Sequence, residues 1–381
     1  MNKLMILDGN SIVNRAFYGV RPLNAPDGTP TNAVYGFLAI LQKLLDGEAP
    51  DSLCVAFDLP APTFRHDMFE GFKAQRKPMP DDLAVQMPLL KETLDAMHIR
   101  RLEAAGWEAD DVLGSVAAKC EKSGWECEIV TGDKDSFQLI TDTTSVLHVK
   151  TRMGQTETIL YDKARFTEEY GFAPPLMVDL KALMGDASDN IPGVPGIGEK
   201  TALDLVRRFG TVENIYANLE TPDIKDSVRK KLDAGRESAK MSYTLATISR
   251  DAPIELDPAE AAWKADFGPE LYEVLNRLGF RKFIEKWGLA PAPEAAAEAV
   301  SRALPEIAPI SAEEAEHRIR AAETVGIFCP EGNLDSIMVC DGESIFTLNW
   351  AELGEDYNRL LRLLFSGEVK KSAHGVKDLS L

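Results

Sequence analysis

The sequence predicts a mixed α/β protein, a mainly parallel sheet with flanking helices, followed by a region that is helical throughout. Three observations predict it. As far as Asp162, short apolar runs alternate with amphipathic segments of helical period. From Lys163 to Trp287 the helical period continues without a strand. Carboxylates recur at strand ends and helix starts, in MILDGN (Asp8), VAFD (Asp58), WEADD (Glu108, Asp110, Asp111), TGDKDSF (Asp133, Asp135) and GDASDNIPG (Asp186, Asp189). Open α/β sheets build their sites at that edge.

Taken in order, KLMILDG reads as a buried strand and NSIVNRAFYG as a short helix capped by Asn10 or Ser11. TNAVYGFLAILQKLLDG is an amphipathic helix ending at Gly47, and SLCVAFD is the next strand. A basic, irregular stretch runs from Leu59 to Pro80. Helix DDLAVQMPLLKETLDAM, strand IRRLEA, helix EADDVLGSVAAKCEKSG, strand ECEIVTGD and the short helix DSFQLI follow. TSVLHVKTRMGQTETILYD is an antiparallel hairpin turning at Met153-Gly154. Beyond Leu289, APAPEAAAEAVSRALPEIAP is rich in Ala, Pro and Glu, lacks aromatic residues, and reads as a linker with some helical content. The expected divisions are 1–165 (α/β catalytic region), 166–289 (helical region), 290–310 (linker) and 311–381 (a further, partial α/β segment).

A single Asp at a strand end ordinarily caps a helix. A whole set at one sheet edge is different, because like charges a few ångströms apart raise one another's pKa. Such a cluster calls for divalent cations on oxygen ligands, Mg²⁺ or Mn²⁺, and the chemistry that needs such a site is phosphoryl transfer. No D-x-[DN]-x-[DN]-G loop is present, which excludes EF-hand calcium binding.

At 381 residues the chain exceeds one core, so two or more domains are expected. The N-terminus runs straight into a strand without a signal-peptide pattern and no apolar run spans a bilayer, from which a cytoplasmic location and no membrane partner are expected. The five cysteines (Cys54, Cys120, Cys127, Cys329, Cys340) have neither C-x-x-C nor zinc-finger spacing, so they read as reduced bystanders. A net charge of −19 argues globally against a nucleic-acid partner. Local distribution argues the other way: Arg65, Lys73, Arg76 and Lys77 gather in one stretch, Lys200, Arg207 and Arg208 in another, and SVRKK forms a third.

GVPGIGEKTALDLVRRFG is not a P-loop, because Glu199 separates Gly198 from Lys200. The turn Pro195-Gly196-Ile197-Gly198 instead exposes amides at a helix N-terminus, a site for one phosphate without base readout. It resembles the helix-hairpin-helix signature. That resemblance implies duplex backbone contacts by Gly196, Gly198, Lys200 and Thr201, with a bound monovalent cation such as K⁺.

In order, LMILDGNSIVNRAFYG, TNAVYGF, VAFDLPAPTFRHDMFEGFKAQR, WEADDVLG, TGDKDSFQL and GDASDNIPGVPGIGEKTA resemble the 5′-nuclease (flap endonuclease) domain of bacterial DNA polymerase I, over Met1 to Leu289. The resemblance implies a PIN-like 5′-nuclease fold and nine metal-binding carboxylates: Asp8, Asp58, Glu108 and Asp110 chiefly on one ion, Asp133, Asp135, Asp186 and Asp189 chiefly on a second, and Asp111 on either. Two Mg²⁺ (or Mn²⁺) ions about 3.5–4 Å apart would clamp the scissile phosphate, with Lys73 and Arg76 stabilising its transition-state charge. The basic segment around Lys73 and Arg76 resembles the family's helical arch or gateway, through which a single-stranded 5′ end passes. Phe72 stands where the family commonly has Tyr, keeping a stacking ring without its hydroxyl. Tyr18 is either a stacking platform for an unpaired base or a core tyrosine. The implied partners are branched or flapped duplex DNA and RNA–DNA junctions, engaged by a monomer.

ETVGIFCPEGNLDSIMVCDGESIFTLNW and VKKSAHGVKDL resemble parts of the ribonuclease H-like 3′–5′ proofreading domain of the same polymerases. Cys329-Pro330-Glu331 replaces its Asp-x-Glu, so no proofreading is expected from this segment, and no polymerase region is recognised. Two other readings remain open from the sequence: a catalytically silent module that binds DNA structures, and a PIN-like metal-dependent ribonuclease, which would not explain the helix-hairpin-helix segment.

Overall fold

The computed structural model describes residues 2–152, 155–292, 310–328, 335–342 and 344–373. The chain forms two compact units, Met1–Pro291 and Ala292–Leu381.

The first unit is built on a six-stranded sheet of β1 (Lys3–Asp8), β2 (Ser52–Ala56), β3 (Arg100–Leu102), β4 (Glu126–Thr131), β5 (Thr144–Arg152) and β6 (Gln155–Tyr161). Their order is β3-β2-β1-β4-β5-β6, and only β6 runs antiparallel. Leu7 of β1 aligns with Val55 of β2 on one side and Val130 of β4 on the other. Strand β1 is apolar at successive positions because both faces are covered. Leu4 and Ile6 enter one core cluster and Met5 and Leu7 the other.

Helices α1 (Gly9–Gly19), α2 (Asn32–Glu48), α3 (Phe64–Met68), α4 (Asp81–Ala84), α5 (Gln86–Ala96) and α6 (Ala109–Ser123) connect these strands. Asp8, rather than Asn10 or Ser11, caps α1, accepting from the Ser11 amide at 2.9 Å. Helix α2 runs through Gly47 to Glu48, and Ala49 takes the left-handed conformation (φ 43°) expected of the glycine. DDLAVQMPLLKETLDAM is broken at Val85 into α4 and α5. In one continuous helix the Pro88 ring would meet the carbonyl of Ala84, whereas in the first turn of α5 its missing amide costs nothing. Gly124 (φ 70°) ends α6 as expected.

The hairpin strands pair as expected, with Val149 opposite Thr158; the turn residues Met153 and Gly154 lie outside the described residues. Helices α7 (Lys163–Tyr170), α8 (Met177–Met184), α9 (Glu199–Phe209), α10 (Val212–Ala217), α11 (Asp226–Ala234), α12 (Arg236–Ala246), α13 (Pro269–Arg277) and α14 (Arg281–Trp287) complete the unit. None among the described residues is long and apolar enough to cross a membrane.

The second unit contains α15 (Ala312–Ala321), β7 (Val325–Phe328), β8 (Ser336–Cys340), β9 (Ile345–Asn349), α16 (Trp350–Leu353), α17 (Glu355–Leu364) and β10 (Lys371–Ala373). Its sheet order is β10-β7-β8-β9, with β10 parallel to β7 and the other pairs antiparallel. Val325, Ile327, Ile337, Val339, Phe346 and Leu348 share a core with Ile319 of α15 and Leu360 of α17. Most of the expected linker (293–309) and Cys329-Pro330-Glu331 lie outside the described residues.

Candidate active site

The order in which strands are added reverses at β1, which pairs in parallel with β2 on one flank and β4 on the other. Open α/β sheets form a crevice at such a switch point, beyond the carboxyl ends of the strands. Asp8 closes β1 there, and its second oxygen accepts from the Thr131 hydroxyl, at the end of β4, at 2.8 Å. Asp58, just past β2, accepts the Ala109 amide at 2.7 Å, where α6 begins. Asp110 stands in the first turn of α6. Asp133 follows β4 and accepts the Asp135 amide at 2.9 Å.

These four carboxylates act on one another. Burial, joined by the charges of Asp58 and Asp133, pushes Asp8 up to about 6 against the hydrogen bonds from Ser11 and Thr131. Burial, with Asp8, Asp133 and Asp58, pushes Asp110 well above the usual carboxylate range. Among the described residues none of the four forms a salt bridge.

The remaining acids are each held by a cation. Lys181 of α8 lies 2.7 Å from Asp135 and also pairs with Asp186. Burial would raise the Asp186 carboxyl, but Lys181 and Ser188, which donates its amide at 2.7 Å and its hydroxyl at 2.6 Å, hold it below its ordinary value. Burial and Asp133 push Asp135 up to about 6 in spite of Lys181. Lys73 pairs with Glu108 and sits 3.8 Å from Asp189, which Arg76 contacts at 2.5 Å. Lys73 is left-handed (φ 55°), and its amide donates to the Asp189 carbonyl at 2.9 Å. That strain, roughly 1 kcal/mol or more, is offset because both ends of the residue are fastened to the acidic turn.

That turn joins α8 to α9. A Cβ on Gly193 would lie 2.3 Å from the Gly185 amide nitrogen, so only glycine lets the two backbones touch. Gly198 caps α9 without a side-chain hydrogen bond; the Thr201 amide donates to the Gly198 carbonyl at 3.0 Å, which leaves the Glu199 and Lys200 amides at the helix start. Gly196, Gly198 and Lys200 are exposed and Thr201 is half-buried. The Gly196 carbonyl accepts from Lys231 at 3.0 Å.

The donors at the switch point are all oxygen, and among the described residues no cation salt-bridges Asp8, Asp58, Asp110 or Asp133, although Arg15 acts on Asp8 and Asp133 and Lys73 on Asp110 from further away. This chemistry fits a hard dication. Among the described residues no three acids converge closely enough to make a ready-formed cage.

Two family models match in succession: "5′-3′ exonuclease, N-terminal resolvase-like domain" over residues 3–171 and "5′-3′ exonuclease, C-terminal SAM fold" over 172–266. The chain belongs to the 5′–3′ exonuclease family. Similar curated proteins include DNA polymerase I of Bacillus subtilis (42% identical over 286 residues, 75% of this chain and 32% of that protein). Thermostable DNA polymerase I of Thermus aquaticus is 40% identical over 297 residues, 78% of this chain and 34% of that protein. The match thus spans about a third of the length of these relatives. Among solved structures, the D15 protein of phage T5 co-crystallised with metal ions gives a TM-score of 0.53 at 22% identity, covering 73% of this chain and 100% of that one. Zinc-bound T5 5′-exonuclease gives 0.52 at 22% identity, covering 73% and 98%. Both share the exonuclease fold.

Within this exonuclease framework three expected site residues are corrected. Asp111 is fully buried, and each of its oxygens accepts two bonds: from Arg65 at 2.7 Å and Ser249 at 2.8 Å on one, from Arg65 at 2.7 Å and Glu108 at 3.1 Å on the other. A carboxylate so saturated has no lone pair for a metal. Arg65, 2% exposed, spends its remaining donors on Glu108 and the carbonyls of Leu245 and Thr247, so it is a buried clamp and not a DNA contact. Phe72, also 2% exposed, sinks among Val178, Ile191, Leu245 and Ala246, where no base can stack on it. Tyr18 is 74% exposed, with its ring set edge-on to Phe17 at 5.0 Å between centroids.

Sequence reasoning missed Lys181 and Thr131. The signal for Lys181 was the one cation of MVDLKALM, five residues before Asp186. Thr131, the last residue of a strand, gave none.

Proposed function

We propose that this chain is a structure-selective 5′ nuclease that hydrolyses phosphodiesters at 5′ ends and flaps of branched duplex DNA, and at RNA–DNA junctions, during replication and repair. One observation carries the reading: Asp8, Asp58, Asp110 and Asp133, none of them salt-bridged among the described residues, face one another across the switch point of a 5′–3′ exonuclease fold. A phage T5 D15 flap endonuclease of the same fold is described in complex with DNA and metal ions, at TM-score 0.53 and 22% identity.

In this reading Asp8, Asp58, Asp110 and Asp133 would hold one Mg²⁺ or Mn²⁺ and Asp135 with Asp186 a second. Asp133 thus moves from the second ion expected from the sequence to the first, beside Asp8 and Asp110, and Glu108 and Asp189, held by Lys73 and Arg76, leave the ligand set. Bound cations would offset phosphate charge and acidify water. Glu108 and Asp189 position Lys73 and Arg76, whose side chains meet charge developing on the phosphate. Tyr18 receives an unpaired base. The Gly196-to-Thr201 turn anchors duplex backbone through amides and Lys200, with a monovalent cation such as K⁺ beside it. The catalytic region covers 1–165, the helical anchor 166–289, a linker 290–310, and 311–381 is a ribonuclease H-like segment without proofreading.

The test is a 5′-labelled flap duplex incubated with and without Mg²⁺. Cleavage near the junction only with metal is expected. Binding without cleavage would favour a silent binding module, and preference for linear single-stranded RNA a PIN-like ribonuclease.

A further inference from the structure

Lys181 stands where the proposed function needs a metal ion. Its ammonium bridges two carboxylates from different segments, 2.7 Å from Asp135 after β4 and in direct contact with Asp186 after α8. All three side chains are largely shielded, with 14%, 17% and 11% exposure respectively. An ion pair so placed is screened little by salt. It uses oxygen lone pairs that a dication would require, since Mg²⁺ binds carboxylate oxygen at about 2.0–2.1 Å and tolerates no ammonium on the same lone pairs. The cluster of Asp8, Asp58, Asp110 and Asp133 has no such salt-bridged cation among the described residues.

We infer that Lys181 is a built-in counter-ion which competes with the second divalent cation for Asp135 and Asp186, so that the two metal sites fill in order and not together. The inference rests on the metal-binding reading above. The first ion enters a cluster that no cation salt-bridges among the described residues, Arg15 and Lys73 acting on it only from further away. The second must displace an ammonium already in place, and the lysine stem, flexible over four carbons, can swing aside to admit it. The second site is therefore weaker than its ligands alone would make it, by the equilibrium constant for the Lys181 bridge. Lys181 is a positioning residue here and touches no reacting atom.

The experiment is a Mn²⁺ titration of the metal-free full chain without DNA, following free Mn²⁺ by electron paramagnetic resonance. Wild type should bind one Mn²⁺ tightly and a second at least tenfold more weakly. Lys181→Met should tighten the second site about tenfold while leaving the first within twofold, and Lys181→Arg, which keeps the charge, should resemble wild type. Two sites unchanged or weakened in Lys181→Met would overturn the role of Lys181 alone. Absence of Mn²⁺ binding in wild type and variant alike would overturn the ligand assignment and this inference with it. Circular dichroism and thermal melting check that each variant is folded. If Lys181→Met does not fold, Lys181→Gln takes its place, with the same tightening expected and unchanged binding again overturning the role.

Discussion

Asp110 and Asp111 are neighbours in sequence and opposites in environment. Asp110 is pushed well above its usual range by burial and three like charges, whereas Asp111 is paired bidentately with Arg65. Asp110→Asn should therefore raise the metal-free melting temperature, by about 2–4 °C for each kcal/mol of repulsion relieved, and lower Mg²⁺-dependent cleavage on the order of a hundredfold or more. Flap binding should survive. A variant with near-normal turnover would remove Asp110 from the ligand set. Arg65→Met, by contrast, leaves the Asp111 carboxylate buried and unpaired, which costs about 3–5 kcal/mol. Urea denaturation measures that loss, and a variant of full stability with weakened DNA binding would return Arg65 to the DNA surface. Lys73→Ala should depress turnover far more than affinity, since its charge matters most where phosphate charge develops. A change confined to the dissociation constant would make Lys73 a binding residue.

Elements carry their own consequences. In β4, Glu128 is 4% exposed, one of its oxygens has no hydrogen-bond partner, and Lys3 is 3.6 Å from the other. Burial pushes its carboxyl from an ordinary 4.5 up to about 7, with Lys3 opposing. The folded state thus holds this proton more tightly than the unfolded chain does. Its contribution is fully present below pH 4.5 and is lost as pH rises to about 7. At about 1.4 kcal/mol per pH unit the loss is roughly 3–4 kcal/mol. Glu128→Gln should flatten the fall in urea midpoint between pH 5 and pH 8; an unchanged slope would assign it to other groups. In the turn before α9, Gly196 has φ 82° and a Cβ there would meet Lys231 at 3.1 Å. Gly196→Ala should weaken duplex binding and reduce its salt dependence, which equilibrium binding at several salt concentrations reads directly.

The whole molecule divides at Pro291, with every catalytic candidate in the first unit. A chain ending near Leu289 should melt cooperatively by itself and cleave flaps within a few-fold of the full chain. Neither form should release a 3′ label; release by the full chain alone would show an active 3′–5′ exonuclease in the second unit. The overall charge of −19 repels DNA, so the proposed function requires local cations such as Lys73, Arg76 and Lys200, and metal among the acids, to offset it.

Strand and helix alternation, the carboxylates at strand ends, the glycine-bounded turn and the change of composition after Leu289 were all legible from the sequence, because each follows from local periodicity and side-chain chemistry. Which carboxylates are neighbours was not. Successive residues on α6 point about 100° apart, so Asp110 meets the cluster while Asp111 meets Arg65, brought from 46 residues away. Phe72 likewise looked like a ring offered to DNA, but its fate depended on the space left between Val178 of α8 and Leu245 of α12. Lys181 became the partner of Asp135 only because the turn after β4 and the end of α8 meet. Such pairings depend on how distant segments pack, and residue type and spacing carry no record of that distance.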